Sequence, residues 1–278
     1  MKTLYISDMD GTLLNNEARL SERSSRMISE LTASGVLISV ATARTPATVE
    51  NILEGTATAN ELVVMTGATL WNRAEQAFDG MHLLPRADVE MMLAEFAKTD
   101  ITPFCYALSR SHLEVYHSKA ELTESEQKFV GMRRNLRLKT FHLGEACPLQ
   151  FYDSMVLFFA MGGRDSIVGI AENLRAKCNC YVSYYKDTYT PDLWLLEIFA
   201  PGVSKAEGVL ELKRKVGADR LVVFGDNLND IPMLRVADLA VAVDNALPEV
   251  KDICNVIIGP NTADAVPTFI AQDSGIAP

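Results

Sequence analysis

The apolar run Leu4-Tyr5-Ile6-Ser7 stops at Asp8-Met9-Asp10-Gly11-Thr12, and this arrangement of a short apolar segment ending in small polar residues recurs along the chain. Val36–Ala41 runs into Thr42-Ala43-Arg44, and Leu62–Met65 runs into Thr66-Gly67. Short continuous apolar runs bounded by turn formers suit strands covered on both faces. Helix signals fill the gaps. Ser21 stands as an N-cap ahead of Met27, Ile28 and Leu31 on one helical face, with Gly35 as the stop. Thr45-Pro46 opens a second helix toward Gly55, with Thr as cap and Pro at the first helical position. A βαβαβ order of this kind predicts a parallel sheet with helices on its faces.

The same texture returns later. Trp194–Phe199 reads as a strand, Ser204–Val216 as a helix stopped by Gly217, and Leu221–Phe224, Leu239–Val243 and Val256–Ile258 as further strands. The middle differs. Val89–Lys98 has helical spacing, Leu113–His117 is a mixed strand, and Glu121–Arg134 is a charged helix. Met155–Met161 then reads as a strand, Asp165–Lys177 as a helix and Tyr181–Lys186 as another strand. The expected fold is α/β: a doubly wound, mainly parallel sheet over residues 1–82 and 188–278, interrupted by an inserted α+β domain over 83–187. A chain of 278 residues has room for both.

Charge narrows the partners. The formal net charge is −10, which disfavours a nucleic acid, because affinity for its backbone rests on Lys and Arg displacing counterions. A focused site could still take a small anion. The strongest apolar run, Met155–Met161, is far short of the ~18 residues needed to cross a bilayer, so no membrane partner is expected. Asp8 and Asp10 interrupt any signal-peptide core. Cys105, Cys147, Cys178, Cys180 and Cys254 form no Cys-x-x-Cys pair and read as packing thiols of a reducing cytoplasm.

In a doubly wound sheet, ligands bind outside the carboxyl ends of the strands. The residues that fall there are Asp8 and Asp10, then Thr42 to Arg44, then Thr66-Gly67, and Gly225-Asp226-Asn227-Leu228-Asn229-Asp230, with Lys205 opening a helix beside them. Asp8, Asp10, Asp226 and Asp230 in one pocket would repel each other and raise one another's pKa. A hard divalent cation relieves this, and Mg²⁺ suits a few carboxylates together with phosphate oxygens. With the cation and Lys205 in place the site becomes receptive to phosphate, Thr42 donating from its hydroxyl and turn amides near Met9 and Ala43 cradling oxygens. A carboxylate at the end of a rigid strand is a competent nucleophile toward phosphorus. A second one two residues on can protonate the leaving oxygen and then deprotonate water.

Each piece has a plainer reading. An Asp-x-Asp pair occurs in turns, and also as the metal site of nucleotide-sugar glycosyltransferases. Gly-Asp-Asn is often only a turn. A lysine at a helix start is commonly solvated, although its charge there opposes the helix dipole. The order of the pieces, each at a strand end, favours phosphoryl chemistry over a glycosyltransferase or a non-catalytic binding module. Elsewhere, His82, His112, His117 and His142 are scattered and read as surface or structural, and Arg133-Arg134 reads as a solvated helix face. Tyr181, Tyr184, Tyr185, Tyr189 and Trp194 form an aromatic-rich stretch, either sheet packing or a platform for a sugar ring.

Asp8-Met9-Asp10-Gly11-Thr12-Leu13-Leu14 resembles the first motif of the haloacid dehalogenase-like (HAD) phosphatase superfamily. Thr42-Ala43-Arg44 is similar to its second motif, Ser204-Lys205 to the third and Gly225 to Asp230 to the fourth, and the long insertion resembles the Cof-type branch with a C2 cap. The resemblance implies a phosphatase for small phosphorylated metabolites such as sugar phosphates, or its relative, a phosphomutase. Asp8 would be nucleophile and Mg²⁺ ligand, Asp10 general acid and base with its backbone carbonyl on the metal, and Asp226 a direct ligand. Asp230 would support the metal from behind. Thr42 and Lys205 would bind the phosphoryl group, and Met9, Ala43, Arg44 and Asn229 would also contact phosphate. Ala43 and Ala206 replace the usual glycines, and Thr66-Gly67 replaces the usual Asn-Gly. These departures touch substrate detail and remove no catalytic group.

Overall fold

The computed structural model describes residues 1–187, 190 and 192–276. The chain divides into two compact units, Met1–Gly80 with Ser204–Pro278, and Met81–Val203.

The first unit begins with β1 (Thr3–Ser7), α1 (Glu22–Ala33), β2 (Leu37–Val40) and α2 (Pro46–Ile52). The Ser21 side chain accepts a hydrogen bond from the Ser24 amide, capping a helix that buries Met27, Ile28 and Leu31. Next come β3 (Glu61–Val64), β4 (Thr69–Asn72) and β5 (Ala77–Asp79), an antiparallel sheet of their own. The sequence places Leu62–Met65 in the parallel sheet. Instead, Met65, Thr66 and Gly67 take φ of 51°, 61° and 87° and reverse the chain at once. The returning β4 pairs with β3, and a single parallel bridge, Ala41 with Val63, ties β3 to the segment after β2.

The second unit contains α3 (Arg86–Phe96), β6 (Phe104–Ser109), β7 (His112–His117), α4 (Glu124–Gly131), β8 (Lys139–Leu143), β9 (Met155–Gly162), α5 (Arg164–Arg175), β10 (Tyr181–Lys186) and β11 (Trp194–Phe199). Its sheet runs β10-β11-β9-β6-β7-β8, antiparallel except for the β7–β8 pair. Strand alternation splits its side chains between two faces. Cys105, Phe158, Ala160 and Leu196 pack under α3 and α5 with Met92, Phe96, Ile167 and Leu174. On the other face Phe104, Phe141 and Phe159 cluster with Phe129 of α4.

Several expectations are corrected here. Trp194–Phe199, read as a core strand, pairs antiparallel with β9 and β10 and so belongs to the inserted unit. No strand is expected from the sequence at β4, β5, β6 or β8. The helix expected over Glu121–Arg134 spans only Glu124–Gly131, because Thr123 and Glu126 form a capping box that starts it late. Arg133 is therefore off the helix, its guanidinium 4.2 Å from the Phe129 ring centroid rather than on a solvated face. The aromatic stretch is no single platform: Tyr184 and Trp194 join the helix-covered core, while Tyr181 and Tyr185 are partly exposed. Tyr189 lies outside the described residues.

The chain then completes the first unit with α6 (Lys205–Val216), β12 (Arg220–Gly225), α7 (Ile231–Arg235), β13 (Leu239–Val243), α8 (Pro248–Lys251), β14 (Val256–Ile258) and α9 (Ala265–Ser274). The five-stranded sheet has the order β14-β13-β12-β1-β2, parallel throughout. Leu4, Ile6, Leu221, Val223 and Val241 are fully buried within it. The winding reverses between β1 and β12, which leaves a crevice at their carboxyl ends. Among the described residues, no helix is long and apolar enough to cross a membrane.

Candidate active site

β1 delivers Asp8 to that crevice. The Asp8 amide donates to the Phe224 carbonyl at 3.0 Å, continuing the parallel ladder one residue past the strand. The chain then coils tightly over Met9–Leu13. Gly11 has φ 78°, and a Cβ there would lie 2.4 Å from Asp226 Oδ2, so only glycine lets this loop rest on Asp226. Thr12 Oγ1 donates to Asp226 Oδ1 at 2.6 Å. Asn245 Nδ2 donates to the Gly11 carbonyl at 2.7 Å and fixes the loop from the other side.

α6 delivers the cation. Ser204 caps the helix by accepting from the Glu207 amide at 3.1 Å, and Lys205, the first helical residue, is buried. Lys205 Nζ donates to Asp8 Oδ1 at 2.5 Å and to Asp230 Oδ1 at 2.7 Å. A lysine at a helix N-terminus is opposed by the dipole, and the two carboxylates offset that. Asp230, fully buried, uses its second oxygen to accept from the Asp226 and Asn227 amides at 3.0 and 3.1 Å. It thereby shapes the loop after β12.

The electrostatics follow from one ammonium facing three carboxylates. Burial pushes the Asp8 carboxyl up to about 8, with Asp230 and Asp226 adding to the rise and Lys205 opposing it. Burial also pushes Asp226 up to about 6, with Asp230 and Asp10 adding and the Thr12 hydrogen bond opposing. Burial works against the Lys205 ammonium, but Asp8 and Asp230 outweigh it and hold its pKa above the ordinary value. One oxygen from each of Asp8, Asp226 and Asp230 lies within 4.8 Å of the others. A set of hard oxygens with excess negative charge fits a metal ion.

The remaining predicted residues are placed as follows. Thr42 is buried beyond β2, its Oγ1 accepting from the Arg44 amide at 3.1 Å. Arg44 grips Asp10 with two bonds, Nε to Oδ2 at 2.7 Å and a terminal nitrogen to Oδ1 at 2.5 Å. Asp10 thus pairs with Arg44, and its half-exposed carboxylate is not in the group formed by Asp8, Asp226 and Asp230. Met9 is fully buried, Ala43 half-buried and Asn229 exposed. Thr66 holds a left-handed conformation, and its buried hydroxyl has no hydrogen-bond partner among the described residues.

Sequence reasoning passed over Thr12 and Asn245 as site residues. Thr12 sits inside the first motif, but only its contact with Asp226 shows its role. Asn245 belongs to no motif, yet it follows the end of β13 by two residues. The strand-end rule, applied to that strand as well, would have found it.

Fold and site together define a class: a mixed α/β protein with an anionic, cation-accepting centre at the carboxyl edge of a parallel sheet. The chain belongs to the haloacid dehalogenase-like hydrolases, whose family model matches residues 5–270. It is similar to a 5-amino-6-(5-phospho-D-ribitylamino)uracil phosphatase of Bacillus subtilis, 24% identical over 95% of this chain and 92% of the relative. A phosphoglycolate phosphatase of Methanopyrus kandleri is 21% identical over 98% of this chain and 97% of its own. Among solved structures, a haloacid dehalogenase-like hydrolase from Bacteroides thetaiotaomicron matches with a TM-score of 0.80 at 19% identity, covering 98% of this chain and all of that one. A HAD subclass IIB sugar phosphatase matches with a TM-score of 0.71 at 19% identity, with both chains fully covered. Family membership and phosphatase-named relatives support a phosphomonoester hydrolase.

Proposed function

We propose that this protein is a Mg²⁺-dependent phosphatase that hydrolyses small phosphomonoesters, sugar phosphates or related metabolites, through an aspartyl-phosphate on Asp8. The observation that carries this reading is the buried Lys205 ammonium bound to Asp8 at 2.5 Å and to Asp230 at 2.7 Å, with Asp226 in the same oxygen group. Asp8 and Asp226, with the Asp10 backbone carbonyl, would hold Mg²⁺, and Asp230 would orient the loop that carries Asp226. The ion, when bound, neutralises charge on the carboxylates and on phosphoryl oxygens.

In the first step an Asp8 carboxylate oxygen attacks phosphorus as the ester P–O bond breaks, and Asp10 gives its proton to the departing oxygen. In the second, Asp10 takes a proton from water, the water oxygen attacks phosphorus, and the bond to Asp8 breaks to release inorganic phosphate. Lys205 and Thr42 hold the phosphoryl group, with Met9, Ala43, Arg44 and Asn229 as further contacts. The Arg44 guanidinium occupies both Asp10 carboxyl oxygens, so Asp10 must leave that pair before either oxygen can reach a leaving group.

The inserted unit is read as a C2-type cap that selects the leaving group, a reading supported by its separate sheet and core. The name of the subclass IIB sugar phosphatase supports the substrate class. The net charge of −10 supports a small ligand over nucleic acid. Five free cysteines support a reducing, cytoplasmic setting.

The test is a screen of phosphorylated metabolites for phosphate release with and without Mg²⁺, run beside Asp8→Ala. That variant is expected to lose turnover of an aryl phosphate at least about a thousandfold while keeping the wild-type circular dichroism spectrum. Wild-type turnover by Asp8→Ala would overturn the mechanism.

A further inference from the structure

Lysine is almost never fully buried unless it is paired, yet Lys139, at the start of β8 in the second unit, is only 4% exposed. No carboxylate or hydrogen-bond acceptor among the described residues reaches its ammonium. Its neighbours are the rings of Tyr106 and Phe141, with centroids 5.3 and 5.7 Å from Nζ, and a second cation, Arg133. Ring faces attract a cation, but less strongly than loss of water disfavours a buried ammonium. The rings therefore do not balance its burial. Burial first, and Arg133 second, pull the Lys139 pKa down to about 7.

The surroundings point the same way. Tyr106 is 2% exposed, and its hydroxyl has no hydrogen-bond partner among the described residues. Burial, aided by Glu197 and opposed by Arg133, raises its pKa, so the phenol stays an O–H donor. Arg133 is anchored by the Phe129 ring and by a 3.2 Å bond from its guanidinium to the Phe129 carbonyl. The backbone adds a cost of its own. Leu138, just before Lys139, takes φ 72°, a left-handed conformation that disfavours a leucine. From that turn Lys139 enters the sheet opposite Leu113.

We propose that the second unit carries an anion site in which Lys139, Tyr106 and Arg133 take the carboxylate or phosphate of a small molecule against the aromatic walls of Tyr106 and Phe141. An ammonium and a phenol with no acceptor among the described residues are the complement of an oxyanion. The site stands whether or not the first unit hydrolyses phosphoesters.

The test is an NMR pH titration of the full chain carrying ε-¹³C-lysine, with the Lys139 signal assigned by its loss in both Lys139→Arg and Lys139→Met. In chloride the midpoint is expected near 7. With inorganic phosphate, or separately with malonate, at equal ionic strength, it is expected to move up by about one pH unit or more. A rise with phosphate alone or malonate alone supports the site and tells which acid it takes, and a rise with both shows that it accepts either. The signal reports Lys139 itself. A midpoint unmoved by both probes overturns the proposal and leaves a packed, neutral amine.

Discussion

Asp8 and Lys205 lie 197 positions apart in the chain and 2.5 Å apart in the fold, and their neighbours differ in how visible they are from sequence. Asp8, Asp10 and Gly11 declare themselves within four residues, because the turn and the acids are local. Gly11 illustrates the physics: its φ of 78° suits glycine, and a Cβ would strike Asp226. Gly11→Ala is therefore expected to lower kcat/KM at least about tenfold and to weaken Mg²⁺ binding, measured by Mg²⁺ titration of the initial rate. Wild-type Mg²⁺ dependence in that variant would show that the loop can retreat from Asp226. The Arg44 clasp on Asp10 was not legible. Both residues were picked out singly, but a pairing across two loops depends on the angle at which each leaves its strand.

Elements defined by their own ends were read closely. β10 and β13 match the expected residues at both ends. α6 starts at Lys205 after the Ser204 cap and ends at Gly217 in a left-handed conformation. The cap matters to the site because it fixes the turn that carries Lys205. Ser204→Ala is expected to cost about 1 kcal/mol, read as a lower urea midpoint, and to reduce turnover; an unchanged midpoint would mean the cap is not holding the helix. β6, β8 and β11 were harder. Phe104–Ser109 and Lys139–Leu143 lack clear punctuation. The Trp194–Phe199 pattern fits either sheet, and only its antiparallel pairing with β9 and β10 decides between them.

For the whole molecule, the carboxylate group makes stability depend on pH and on cations. Burial raises Asp8 from 3.8 to about 8 and Asp226 from 3.8 to about 6. The folded state therefore binds more protons than the unfolded one across those windows, and stability without metal falls as pH rises from about 4 to about 8. Lys205 adds no slope there, since its raised pKa is lost only above its ordinary value of 10.5. A divalent cation that binds the folded state should restore what is lost. Mg²⁺ is expected to raise the melting temperature by at least about 3 °C more at pH 8 than at pH 5, measured by calorimetry. An equal gain at both pH values would mean that these carboxylates do not hold the ion. Apolar runs, caps and turns are local signals, and they suffice for the α/β class, the parallel strands of the first unit and the motifs at the strand ends. Packing settles that β3 leaves the parallel sheet, that Trp194–Phe199 joins the second unit, that Arg44 grips Asp10 and that Lys139 is buried with no acceptor among the described residues. Each of these depends on which distant segment supplies the partner, and hydrogen-bond pairing and desolvation are settled only when the chain packs.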